Sequence, residues 1–123
     1  APLIDSAIKK QTDEAKPDLP GAILDYEAAL KLWNDPSTHM NLGTAYQAAN
    51  NLNRAMQEYN TALQMDPKTC VECYYYRGTL WEALKNIPNA IKDYQAYLRA
   101  APAGQSAGPV RDRIKILAPA GKK

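Results

Sequence analysis

One fragment returns three times along this chain: Ala22-x3-Tyr26-x2-Ala29-Leu30, Ala55-x3-Tyr59-x2-Ala62-Leu63 and Ala90-x3-Tyr94-x2-Tyr97-Leu98. The copies lie 33 and then 35 residues apart. Each has an apolar residue three places earlier (Leu19, Leu52, Ile87) and a proline after it (Pro36, Pro67, Pro102). A fixed period of that size marks an array of one supersecondary unit, a solenoid in which each copy buries its apolar face on its neighbours. It argues against a globule built round one central pocket.

Spacing inside the copies is helical. In the middle copy His39, Leu42, Gly43 and Tyr46 fall at i, i+3, i+4 and i+7, one face of a helix running from about Ser37 to Ala49. Asp35-Pro36 supplies its start, and Asn50-Asn51 its turn. A second helix from about Leu52 to Met65 is expected to bury Ala55, Met56, Tyr59, Ala62 and Leu63, and Asp66-Pro67 ends it. Abundant alanine favours helices and their close approach. Phenylalanine is absent and eight tyrosines take its place. Most prolines act as punctuation between helices: Pro17, Pro20, Pro36, Pro67, Pro88, Pro102 and Pro109.

The middle copy, His39-x2-Leu42-Gly43-x2-Tyr46, then Ala55-x3-Tyr59, then Pro67, resembles the tetratricopeptide repeat, whose signature is W-x2-L-G-x2-Y…A-x3-F…P over about 34 residues. His39 stands for the tryptophan and Tyr59 for the phenylalanine. The resemblance implies an all-α superhelical solenoid of about three antiparallel helix hairpins. Gly43 and Ala55 would sit where the helices of one hairpin cross, with Tyr46 and Tyr59 wedged between neighbouring hairpins. It covers roughly residues 3–102, most closely 36–102. The whole chain, 1–123, reads as a single domain: a degenerate repeat at 3–35, a clear one at 36–69, and one with a one-residue insertion near Lys68–Val71 at 70–104.

The third copy reads Tyr74-x2-Arg77-Gly78-x2-Trp81, with Arg77 in a slot that is normally apolar. The first keeps its second helix, Gly21 to Trp33, but has Lys10 where glycine belongs and Asp13 where tyrosine belongs. Leu3, Ile4, Ala7 and Ile8 still offer a short apolar stripe. After the small-residue stretch 103–108, Pro109 opens a capping helix over 108–118, with Val110, Ile114 and Leu117 inward and Arg111, Arg113 and Lys115 outward. Ala118-Pro119 ends it, and a frayed Gly121-Lys122-Lys123 tail follows.

Composition narrows the function classes. Net charge is +2, far from the basic stripe of a nucleic-acid binder, and no apolar run reaches membrane-spanning length. Cys70-x2-Cys73 is the only constellation with redox or metal spacing. Two cysteines and one histidine are too few ligands for zinc, and Tyr74 after Cys73 rules out the short haem-attachment motif. The pair remains a packing pair, a candidate disulfide or a redox dithiol at a helix N-terminus. A catalytic role for His39 would require a nucleophile or carboxylate partner that the sequence does not place beside it, and the residue is expected to pack. No enzymatic activity, cofactor or metal is expected.

Tyr74, Tyr75 and Tyr76 are consecutive, and successive helical residues point about 100° apart. With Tyr74 in the packing slot, Tyr75 turns toward what the resemblance implies is the concave groove; alternatively Tyr75 or Tyr76 contacts the preceding repeat. The same geometry assigns Met40, Thr44 and Gln47 to the groove with Asn41 on its edge, then Thr79 and Glu82 with Glu72 at the rim. Such a surface suits an extended or helical peptide. One branch of the family grips chaperone C-terminal carboxylates with two lysines, an arginine and two asparagines. Here only Asn41 matches. Ala7 and Gln11 stand for the first lysine and asparagine, Glu72 for the second lysine and Tyr76 for the arginine, so such a clamp is not expected.

The leading expectation is therefore a non-enzymatic scaffold or adaptor that binds a peptide or partner protein. Alternatives are a structural module self-associating through its terminal repeats and, less favoured, a thiol redox carrier. Nucleic acid and membrane insertion are not expected. Ala1-Pro2 without a methionine reads as a processed mature form or an excised fragment. With the paired cysteines, it tilts the expectation from the cytoplasm toward an exported, periplasm-like compartment.

Overall fold

The computed structural model describes residues 2–13 and 18–118. Pro17, Pro119 and the Gly121-Lys122-Lys123 tail, assigned roles above, lie outside the described residues. Among the described residues there are seven α-helices and no strand: α1 Pro2–Thr12, α2 Leu19–Leu32, α3 Pro36–Ala48, α4 Leu52–Met65, α5 Glu72–Ala83, α6 Ile87–Ala100 and α7 Ala107–Leu117. The chain divides into two compact units, Ala1–Cys70 carrying α1–α4 and Val71–Lys123 carrying α5–α7.

Helix starts follow from side-chain chemistry. Carboxylate or amide oxygens of Asp18, Asp35, Asn51 and Asn86 accept from the backbone N–H of Gly21, Thr38, Arg54 and Asn89, satisfying first-turn donors of α2, α3, α4 and α6. Proline occupies the first turn of α2, α3 and α6, where its missing N–H costs nothing. The two hairpin turns at Asn50 and Lys85 share one device. Each residue takes a positive φ, 63° and 64°, so that the next N–H, of Asn51 or Asn86, reaches back 2.8 Å to the carbonyl of Tyr46 or Trp81. The inserted residue before α5 is absorbed in a turn over 67–71. There Asp66 Oδ1 accepts from the N–H of Lys68 and Thr69 at 3.0 and 3.3 Å, and its other oxygen from the Thr69 hydroxyl.

In the first unit α1 pairs with α2, α3 with α4, and α3 packs back on α2. Ala7, Ala22, Tyr26, Ala29, Leu42, Ala45, Ala55, Tyr59 and Ala62 are essentially closed to solvent. The first copy thus keeps a full helix α1 despite its degenerate signature, although only Ala7 of its apolar stripe is buried. Met56 and Leu63 are half-buried, because they flank the α4 stripe that Ala55, Tyr59 and Ala62 bury. Gly43 makes room for the Tyr59 ring: a Cβ there would lie 2.6 Å from the ring. Tyr59 therefore seats in its own hairpin. Tyr46 instead reaches the neighbouring one, donating its hydroxyl to Glu27 on α2 at 3.1 Å.

The second unit repeats the hairpin with Gly78 against Tyr94, where a Cβ would lie 2.5 Å from the ring. Helix α7 packs on α6 through Ala107 and Val110, which join Ala90, Tyr94 and Tyr97 in one core. Ile114 and Leu117 are half-buried against the same core.

Candidate functional site

A regularity links the three hairpins. The residue before each core tyrosine is acidic (Asp25, Glu58, Asp93), and each pairs with a basic residue from the other helix of its own hairpin. Lys10 Nζ lies 2.9 Å from Asp25 Oδ2, which also accepts from Ser6 Oγ at 2.8 Å. His39 Nδ1 lies 2.7 Å from Glu58 Oε1, with Nε2 2.6 Å from Asn34 Oδ1. Arg77 meets Asp93 in a two-point contact, Nε to Oδ2 at 2.7 Å and a terminal nitrogen to Oδ1 at 2.8 Å. Arg77 stands in an apolar slot because Asp93, only 6% exposed, requires a counter-charge there. The threefold acid-before-tyrosine pattern was present in the sequence as the signal for these pairs.

The candidate binding residues lie on α3 and α5, the first helices of their hairpins. On α3, Met40 and Asn41 are half-buried. Thr44 donates its hydroxyl to the Asn41 carbonyl at 2.8 Å and accepts from Gln11 Nε2 at 2.9 Å. Gln47 accepts the Tyr59 hydroxyl at 2.8 Å. On α5, Tyr75 is half-buried over α6, its ring 6.3 Å from that of Tyr94 and 6.5 Å from that of Tyr97. The Tyr76 ring lies beside it, tilted by 55° with the centroids 5.2 Å apart. Thr79 donates to the Tyr76 carbonyl at 2.6 Å.

Glu72 and Glu82 hold the second unit together. Glu72 accepts the Tyr97 hydroxyl at 2.8 Å and the Ser106 hydroxyl at 2.7 Å, and Ser106 N–H in turn donates to Tyr97 at 3.0 Å. Glu82 takes the Tyr94 hydroxyl and the Arg113 guanidinium of α7, with Arg113 Nε at 3.1 Å. Burial pushes the Glu82 carboxyl up, but the hydrogen bonds from Arg113 and Tyr94 outweigh it and hold the group below its ordinary value. Burial raises Tyr94, and Glu82 adds to that shift. Burial alone pushes Tyr26 up to about 12.

The slots of the carboxylate clamp carry no cation. Ala7 is fully buried. Gln11 accepts from the Tyr26 hydroxyl at 2.8 Å while donating to Thr44. Among the described residues no group of three or more His, Cys, Asp and Glu is placed to hold a metal, and no helix is long and apolar enough to cross a membrane. Cys70 and Cys73 are disulfide-bonded and nearly closed to solvent, at 3% and 0% exposed.

The sequence profile of the tetratricopeptide repeat matches residues 17–69 and again 40–104. No curated protein sequence matches the chain. Among solved structures, the tetratricopeptide domain of Arabidopsis OM64 superposes with a TM-score of 0.80 at 22% identity, over 93% of this chain and 92% of that one. The TPR2B domain of yeast Sti1, solved as a complex with pHsp70, gives 0.79 at 22% identity over 95% and 96%. The first such domain of Spaghetti (RPAP3), bound to the HSP90 peptide SRMEEVD, gives 0.78 at 23% over 95% and 91%. At these identities the likeness is one of fold.

Proposed function

Because this chain belongs to the tetratricopeptide repeat family, whose members here are protein-interaction modules, we propose that it is a non-enzymatic scaffold or adaptor that holds a peptide or partner protein on its first-helix faces. The observation that carries this reading is the pair Met40 and Tyr75. They occupy the same slot of α3 and α5, 35 residues apart, and both remain half-buried. Their polar neighbours Thr44, Gln47, Thr79, Glu72 and Glu82 already make hydrogen bonds within the fold. Apolar contact from Met40 and Tyr75, with Asn41 beside the first, is then the main source of affinity.

The partner is not a free C-terminal carboxylate, since Ala7, Gln11 and Tyr76 offer no positive charge to receive one and Glu72 would repel it. Self-assembly through α1 is not favoured, because Asp5 and Thr12 stand exposed at the positions that match buried Thr38 and Ala45 on α3. A redox carrier needs an accessible sulfur, and both sulfurs are buried. Affinity capture from the native source with wild type, Met40→Glu and Tyr75→Ala tests the reading. Each variant should lose its partner by tenfold or more, about 1.4 kcal/mol or above, with helicity unchanged. Undiminished capture by both variants refutes it.

A further inference from the structure

Of the four acids described in the second unit, Asp93 pairs with Arg77 and Glu82 with Arg113, while Asp112 is exposed to water. Glu72 is different. It is half-buried, and among the described residues it pairs with no cation. Its partners are neutral hydroxyls, that of Tyr97 at 2.8 Å from one oxygen and that of Ser106 at 2.7 Å from the other. A carboxylate offers about four acceptor sites, so each oxygen keeps one. The first turn of α5 suits a carboxylate, but a helix end supplies only about half an elementary charge. A partly desolvated charge is thus left without a full counter-charge.

Glu72 shares its face with aromatic rings. Glu72, Tyr75, Tyr76 and Thr79 fall at i, i+3, i+4 and i+7 of α5. Burial pushes the Tyr76 hydroxyl up, and Glu72 and Tyr75 add to the shift, so the three groups act on one another at short range. The Tyr75 and Tyr76 rings, 5.2 Å apart and tilted by 55°, lie on the same stretch of helix. We propose that this face, Glu72 with Tyr75 and Tyr76, receives an arginine side chain of the partner segment. The proposal rests on the reading of the first-helix faces as the binding surface and adds the charge of what they hold. A guanidinium is planar, stacks on aromatic faces and meets a carboxylate with a fork of N–H donors, whereas the compact, strongly hydrated lysine ammonium gains less. An acidic segment or a nucleic-acid phosphate would instead meet like charge at Glu72.

NMR titration of the full chain, labelled at its tyrosine rings, tests the proposal. The probes are end-blocked tripeptides: leucine-arginine-leucine, its neutral counterpart with citrulline for arginine, and leucine-lysine-leucine. The arginine probe should shift the Tyr75 and Tyr76 ring signals saturably and bind at least about fivefold more tightly than the citrulline probe, with lysine between them. Glu72→Gln keeps an acceptor for Tyr97 and should bring the arginine and citrulline affinities within about twofold of each other. Tyr76→Leu should weaken the arginine probe by about threefold or more. Ser106→Ala removes a hydroxyl from Glu72 but no charge, and should preserve the preference for arginine. That preference is a ratio measured on one protein, so a variant that merely loosens the fold does not abolish it. No binding of the arginine probe, equal binding of citrulline or lysine by wild type, or a preference that survives Glu72→Gln overturns the proposal. Those outcomes leave partner capture through Met40 and Tyr75 standing, whereas capture undiminished by Met40→Glu and Tyr75→Ala removes that broader reading whatever the probes do.

Discussion

Replacing Arg77 by leucine should cost more stability than removing either of the equivalent cations in the other hairpins. The Asp93 side chain is 8% exposed and that of Arg77 22%, and two hydrogen bonds of 2.7 and 2.8 Å join them. Without Arg77, a carboxylate stays in a poorly solvated place without its counter-charge, which typically costs about 3–5 kcal/mol. Leucine itself fits: Leu42 fills the matching slot of α3 at 1% exposure. The cost would therefore arise from stranding Asp93 and not from packing. Removing both charges, as Arg77→Leu/Asp93→Leu, should return stability to within about 1 kcal/mol of wild type or above it. Urea unfolding followed by Trp81 fluorescence reads the second unit directly, in a background where exposed Trp33 is changed to tyrosine. At a slope of about 2 kcal/mol per molar, the single variant should lose at least about 1.5 M of midpoint. If it loses less than about 0.5 M, or the double variant is as unstable as the worse single, the reasoning fails.

A methyl group at Gly43 would sit 2.6 Å from the Tyr59 ring, whose hydroxyl is tied to Gln47, so Gly43→Ala should destabilise the first unit by about 1–3 kcal/mol in a thermal melt. An unchanged melt would show that the ring moves freely. Acid should act partly through Glu82, whose folded carboxyl lies below its ordinary value. The unfolded state then binds more protons, so the stabilisation is full above the unfolded value and is lost as pH falls through the folded one. Glu82→Gln should flatten the acid limb of a stability–pH curve and speed amide exchange in α7; an identical limb would exclude this role.

The sequence made the second helices legible because packing forces them to repeat: Ala55, Tyr59 and Ala62 recur in kind at Ala90, Tyr94 and Tyr97, and all six are buried. Helix ends followed from Asp35-Pro36 and Asn50-Asn51, whose local chemistry decides the backbone alone. The ion pairs were harder to see. Their acids recur before each core tyrosine, but their bases come from three different slots, at Lys10, His39 and Arg77, so no period reveals them. Glu72 and Glu82 were expected on a binding surface, yet each also holds α7 through contacts 31 or 34 residues distant in sequence, which helical periodicity does not report.

The reading of this chain as a protein-interaction module is tested most directly by placing a photo-cross-linking amino acid at Met40 and at Tyr75. Exposed positions Gln57 and Gln64 of α4 serve as controls, all in the native extract. Discrete protein adducts from Met40 and Tyr75, absent from Gln57 and Gln64, are the predicted result. Adducts from the α4 positions alone, or from none of the four, would contradict it.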